Sequence, residues 1–140
     1  MASYLVTGTG RGLGLELVTQ LLALPSSQVS AVFGTTRSSP STALQNLIDQ
    51  SNGRLVHVPL IVTDKSSVEK AANLVNEKLG GKGLDVLINS AGVQFLSLDG
   101  IETMDNLMET METNVEGVRK VTAGFLPSLR IGQLKKIVNM

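Results

Sequence analysis

Cysteine and tryptophan are missing from this chain of 140 residues, and tyrosine occurs once. The lack of cysteine excludes disulfides, thiolate metal sites and a Cys nucleophile, and it suits a reducing compartment. Neither sign of charge is in surplus. Lys plus Arg and Asp plus Glu are both 12, so no positive excess gathers nucleic acid or anionic lipid. No apolar run approaches the ~20 residues of a membrane span. The first strand opens by about Ser3, leaving no room for the basic and apolar regions of a signal peptide. These absences lead us to expect a soluble, cytoplasmic protein with neither a nucleic-acid nor a membrane partner. There is no repeat, low-complexity tract or long linker, only short loop signals at Ser38-Ser39-Pro40-Ser41 and Gly80-Gly81-Lys82-Gly83. A chain of this length holds one domain, able to bury roughly 70% of its unfolded surface.

What is present is an alternation of apolar runs and helical stripes. Tyr4-Leu5-Val6, Ala31-Val32-Phe33, Leu55 to Val62 and Val86-Leu87-Ile88 are short β-rich runs bounded by turn residues. Leu17, Val18, Leu21 and Leu22 recur at helical spacing, as do Val68, Ala71, Ala72, Val75 and Leu79. Runs that are apolar throughout suit a parallel sheet covered by helices on both faces. Right-handed crossovers then predict an α/β, doubly wound parallel sheet of the Rossmann type. A fifth strand is expected at Lys136 to Asn139.

Between the first strand and the first helix lies Thr7-Gly8-Thr9-Gly10-Arg11-Gly12-Leu13-Gly14. A strand that runs straight into a helix N-terminus leaves N–H groups and a positive dipole end facing outward, a site for a pyrophosphate. The G-x-G-x-x-G pattern fails, because Leu13 and Leu15 stand where it would be completed from Gly8 or Gly10. G-x3-G-x-G fits, through Gly8, Gly12 and Gly14. A bare glycine cluster also reads as an ordinary strand-to-helix turn; the flanking strand and amphipathic helix favour a nucleotide.

The second strand ends in Thr35-Thr36-Arg37-Ser38. In this architecture an acid about 20 residues past the glycines selects NAD, whereas an Arg accommodates the 2′-phosphate of NADP. No acid stands here. Arg37 can hold a phosphate bidentately, Ser38 can add a hydroxyl, and Arg11 supplies a second cation. NADP is expected over NAD, the alternative being two merely solvated arginines. Further on, Leu107, Met111, Asn114, Val118, Val121 and Phe125 recur at spacings of 3 and 4, which aims the Asn114 amide along an apolar, sheet-facing stripe. A buried amide must find partners, by a functional role or by bonding nearby backbone. His57, between Val56 and Val58, reads as a packed or edge histidine.

Three ordered motifs now carry a resemblance. Thr7-Gly8-x3-Gly12-x-Gly14, then Asn89-Ser90-Ala91-Gly92, then Asn114-Val115-x-Gly117 resemble the short-chain dehydrogenase/reductases in kind, order and spacing. The resemblance spans the whole chain. Arg-Gly-Leu-Gly-Leu in the loop and the Ile-Val-Asn-Met ending are most similar to the carbonyl-reductase-like branch that includes the sniffer and C-factor proteins. It implies that Gly8, Gly12, Leu13 and Gly14 cradle the pyrophosphate, and that Arg11, Arg37 and Ser38 hold the 2′-phosphate. Asn89, Ala91 and Gly92 would line the riboses. Ser90 replaces a more usual second Asn, and Ile61 stands where the family usually has an Asp near adenine. Adenine would then rest on backbone near Val62, while Asp64 serves as the N-cap of a helix from Lys65. Asn114 would belong to a catalytic tetrad, helping to position a water near the catalytic Lys. No metal ligand set is expected.

The chemistry implied is hydride transfer between NADP(H) and a carbonyl or alcohol carbon of a small molecule, with a Ser and a Tyr-x3-Lys pair moving the proton. Here the only tyrosine is Tyr4, followed four residues later by Gly8. The expected Ser and Tyr-x3-Lys would lie beyond Met140, and neither Ser90 nor Ser97 substitutes for the Ser. Residues 1–140 therefore read as an NADP-binding domain with strands 1–5 only, truncated relative to the family and lacking its catalytic part. The fifth strand becomes an unpaired apolar edge. The helix expected over Met104 to Phe125 is one the family uses at a dimer interface, which leaves room for a homo-oligomer. Two readings follow, an oxidoreductase by family, or a non-catalytic nucleotide-binding, regulatory or scaffold module, including a decayed enzyme.

Overall fold

In the computed structural model, which describes residues 1–140, the apolar runs become one parallel sheet. Its strands are β1 (Ala2–Val6), β2 (Val29–Thr36), β3 (Leu55–Pro59), β4 (Val86–Asn89) and β5 (Lys136–Asn139). They are ordered β3-β2-β1-β4-β5, every neighbouring pair parallel. The helices are α1 (Gly12–Ala23), α2 (Thr42–Gln50), α3 (Lys65–Leu79), α4 (Leu107–Met111) and α5 (Val118–Ile131). Successive side chains of β1 serve opposite faces. Leu5 joins Phe33, Val58 and residues of α3 and α5, among them Val75 and Phe125. Val6 joins Val18, Val32, Leu44 and Ile88 on the face covered by α1 and α2. Two covered faces explain why the central strands are apolar without alternation.

The order reverses between β1 and β4, which opens a crevice beyond the carboxyl ends of those strands. Asp85, 8% exposed, sets their alignment. Its carboxylate accepts from the Ser3 N–H at 2.9 Å, the Ser3 hydroxyl at 3.0 Å and the Gln133 N–H at 2.7 Å. Burial pushes this carboxyl upward in pKa, but the bonds to Ser3, Gln133 and Leu134 outweigh burial and hold it below its ordinary value.

The chain departs from expectation in two places. The apolar run to Val62 stays buried at Leu60 but ends as a strand at Pro59, which has no N–H to give a ladder. The Leu60 N–H returns to the Thr36 carbonyl at 2.9 Å, and a turn at Ile61–Asp64 leads into α3. There Asp64 caps as expected, accepting from the Ser66 N–H at 2.9 Å. The expected helix from Met104 begins only at Leu107, after a 3₁₀ turn at Ile101–Thr103. It passes through a π turn at Glu112–Gly117 before α5. That extra residue rotates the helix face by about 100°, since each residue of an α-helix turns that far. Val121 and Phe125 are fully buried, whereas Leu107 is 53% and Met111 48% exposed. The single expected stripe is therefore two faces out of phase.

Candidate functional site

A cleft of ≈ 870 Å³ occupies the crevice, walled by the glycine loop, the end of β2 and the segment after β4. Close backbone approach builds it. A Cβ on Gly8 would lie 2.8 Å from the Ala91 Cα, and Gly8 itself adopts φ +73°, which favours glycine. A Cβ on Gly14 would run into the Gly8 carbonyl. Thr7 fastens the two walls, its hydroxyl oxygen accepting from the N–H groups of Ser90 at 3.0 Å and Ala91 at 2.9 Å. Thr9, fully buried, donates to the Thr35 carbonyl at 3.1 Å and ties the loop to β2.

The helix end facing this cleft is left open. Ser41 caps α2 and Asp64 caps α3, but Arg11 at the N-cap of α1 makes no side-chain bond, and the first turn holds no acid. The free N–H groups and positive dipole end there attract an anion. Charge along the walls has one sign. Arg11 and Arg37 line the cleft and no Asp or Glu does. Neither arginine is in an ion pair; the two pairs present are Lys65–Glu69 and Glu116–Arg119. An uncompensated guanidinium keeps its donors for a ligand.

Of the residues singled out from the sequence, Gly8, Arg11, Gly12, Leu13, Gly14, Arg37, Ser38, Val62, Ala91 and Gly92 all line this one cleft. Leu13 is 68% exposed at the mouth of α1. Val62 lines it while Ile61 does not, and Val62 packs so close to Gly117 that a Cβ there would lie 2.9 Å from its methyl. Asn89 is not brought into the cleft. It is buried and its amide donates to Asn139 at 2.9 Å and Thr122 at 3.2 Å, tying β4 to β5 and α5.

Asn114 is exposed rather than buried, because it sits in the π turn where the helix face rotates. Both ends of its amide are nonetheless bonded. Oδ1 accepts from the Val93 N–H and Nδ2 donates to the Val93 carbonyl, both at 2.8 Å. Asn114 thus clamps the segment after β4 and lines a smaller cavity of ≈ 380 Å³ that shares Val93, Gln94 and Phe95 with the cleft. The sequence reading named Thr7 within the first motif but gave it no role, and it assigned none to Thr9, Thr113 or Met140. Thr7 and Thr9 flank the first glycine, and their hydroxyls bond distant backbone at Ser90, Ala91 and Thr35; Thr113 and Met140 reach the cleft only through folding.

The model of the family described as short chain dehydrogenase matches residues 3–140. The chain belongs to this family. Among its curated relatives is the short-chain dehydrogenase/reductase AacuF of Aspergillus aculeatus, 34% identical over 100% of this chain and 54% of that protein. Among solved structures, the NADPH-bound carbonyl reductase from chicken fatty liver is 39% identical, with a TM-score of 0.78 over 93% of this chain and 49% of the other. The carbonyl reductase Sniffer of D. melanogaster is 27% identical, with a TM-score of 0.80 over 94% of this chain and 53% of the other. The chain is thus a carbonyl-reductase-like member of the short-chain dehydrogenases. It spans about half the length of the relatives it matches. No helix is long and apolar enough to cross a membrane.

Proposed function

We propose that residues 1–140 are the NADP-binding domain of a short-chain oxidoreductase acting on a small-molecule carbonyl or alcohol. The observation that carries this reading is a cleft lined by two unpaired arginines and no acidic side chain, at the uncapped N-terminus of α1. Three properties of the chain fit a phosphorylated dinucleotide. The Gly8–Gly14 approach leaves a cradle that side chains would fill. The open end of α1 suits a pyrophosphate, and Arg37 stands at the tip of β2 in place of the acid that would favour NAD.

In this assignment Gly8, Gly12, Leu13 and Gly14 hold the pyrophosphate, and Arg11, Arg37 and Ser38 hold the 2′-phosphate. Val62 supports adenine and Ala91 and Gly92 border the riboses, with Asn89 anchoring that segment from beneath. When bound, the nicotinamide supplies the hydride chemistry. Asn114, proposed as part of the catalytic set, fixes the Val93 backbone beside the reacting end. The NADPH-bound chicken relative supports the cofactor assignment.

Proton transfer is a separate matter. Neither a tyrosine nor a lysine lines the cleft. Tyr4, half-buried, packs against the apolar cluster beneath α1 and α2. That observation favours the second reading for the 140 residues alone, a nucleotide-binding module without catalysis, and we propose that the proton-transfer residues are not among them.

Isothermal titration tests the cofactor assignment: Arg37→Ala is expected to weaken NADP⁺ about 10-fold or more and NAD⁺ little, the loss of a charge-assisted phosphate contact. An unchanged NADP⁺ preference would sink the assignment. The purified chain is expected to reduce no aldehyde or ketone above a Gly14→Val control; turnover above it refutes the placement of the proton donor.

A further inference from the structure

Beside the arginine that faces the cleft lies a chain of hydrogen bonds ending on the only histidine. Thr36 has one hydroxyl proton. Its oxygen lies 2.5 Å from the Ser38 carbonyl, which can only accept, so the proton is committed there. The same oxygen lies 2.7 Å from Nε2 of His57, and with its proton spent it can only accept. Nε2 must therefore carry a proton and donate it, which defines the tautomer of the neutral ring. The histidine sits on β3, at the edge of the sheet, opposite Gly34 of β2. Thr36 stands two residues beyond Gly34 along β2, on the same face of the sheet as the histidine. The threonine methyl in turn lies 3.6 Å from a Cβ position on Gly10, against the glycine loop.

We infer that His57 is a positioning residue for cofactor selection, holding the Thr36–Ser38 turn through the Thr36 hydroxyl so that Arg37 and Ser38 face the 2′-phosphate. This rests on the NADP assignment above. Its other brace is backbone, the Leu60 N–H donating to the Thr36 carbonyl at 2.9 Å, and no side chain but that of His57 reaches it from outside. Arg37 and Ser38 are exposed, and the closure from Thr36 to Ser38 spans two residues. Such a short loop samples other shapes unless its hydroxyl is oriented from behind, and His57 supplies that orientation from a strand already paired to β2. Because the effect is confined to the turn beyond β2, it separates NADP from NAD, which lacks the 2′-phosphate. A residue that merely stabilised the sheet would change both affinities together.

The test is titration of the 140-residue chain with NADP⁺ and NAD⁺ in three variants. His57→Phe removes the donor, and is expected to weaken NADP⁺ about 2- to 10-fold with NAD⁺ unchanged, the scale of one neutral hydrogen bond. His57→Gln, whose amide nitrogen reaches the same place, is expected to restore most of that loss. Equal weakening of both cofactors, or no rescue by Gln, overturns the inference. The Arg37→Ala variant separates the two ideas. If it loses the NADP⁺ preference while His57→Phe keeps it, the inference alone falls; if it keeps the preference, the cofactor assignment falls and the inference with it. A measurement free of variants is the ¹⁵N spectrum of the wild-type ring, unambiguous because the chain has one histidine. It is expected to show Nε2 protonated at neutral pH, and a ring protonated at Nδ1 instead would overturn the hydrogen-bond order.

Discussion

Each glycine of the loop does something different at the scale of the residue. Gly12 has open space where a Cβ would be and serves through its φ of +60°, whereas Gly14 serves through contact. Gly14→Ala drives a methyl into the Gly8 carbonyl, so the turn must shift just where backbone N–H groups face the anion. The expected cost is about 1–3 kcal/mol of stability, with nucleotide binding lost beyond that cost. Thermal melts with and without NADP⁺ check it: the variant folds and loses the ligand-induced rise in midpoint. The glycine pattern was legible in the sequence because backbone contact leaves no alternative residue. The role of Thr7 was not, since its two bonds run to Ser90 and Ala91 across the sheet.

At the scale of the element, the N-termini of α2 and α3 are completed by the chain's own side chains and that of α1, at the cleft, is not. Asp64 and Ser41 complete α3 and α2, and Asp64 was legible because its cap is three residues of local sequence. The open end of α1 invites a reciprocal experiment. Arg11→Asp supplies an N-cap and an acid together, and is expected to stabilise the fold by about 0.5–1 kcal/mol while weakening NADP⁺ more than 10-fold. Urea midpoints and titration check the two signs; a variant that binds normally removes this helix end from the site. The segment around Asn114 shows why local periodicity misleads. A spacing of 3 and 4 cannot reveal one inserted residue, so Leu107 and Met111 were expected inside and Asn114 buried. The motif nonetheless marked a residue with structural work to do, clamping Val93 through both ends of its amide.

Across the whole molecule, one half-buried and one buried titrating group, His57 and Asp85, shape the response to acid. Burial lowers the pKa of His57 below 6.5, so below that value the unfolded chain takes up a proton before the folded one does. Stability is therefore full above pH 6.5 and declines as pH falls toward the lowered value. The Asp85 carboxyl, held below 3.8 by its hydrogen bonds, contributes stability above that value and loses it as pH falls through its folded pKa. Urea midpoints followed downward from pH 7.5 are expected to fall in two steps, the upper one missing in His57→Gln and the lower one missing in Asp85→Asn. A single step in the wild type contradicts this linkage.

The sequence by itself determined the alternation of strands and helices, the loop that approaches a phosphate, and the replacement of an acid by Arg37 at the end of β2. Those are properties of neighbouring residues, carried by period, glycine geometry and charge. Only the tertiary structure decided that ten separate residues line one cleft, that Asn89 faces away from it, that Asp85 joins β1 to β4, and that His57 stands behind the Arg37 turn. Each of these depends on which strands lie side by side, and the order β3-β2-β1-β4-β5 arises from crossovers that bring distant segments together.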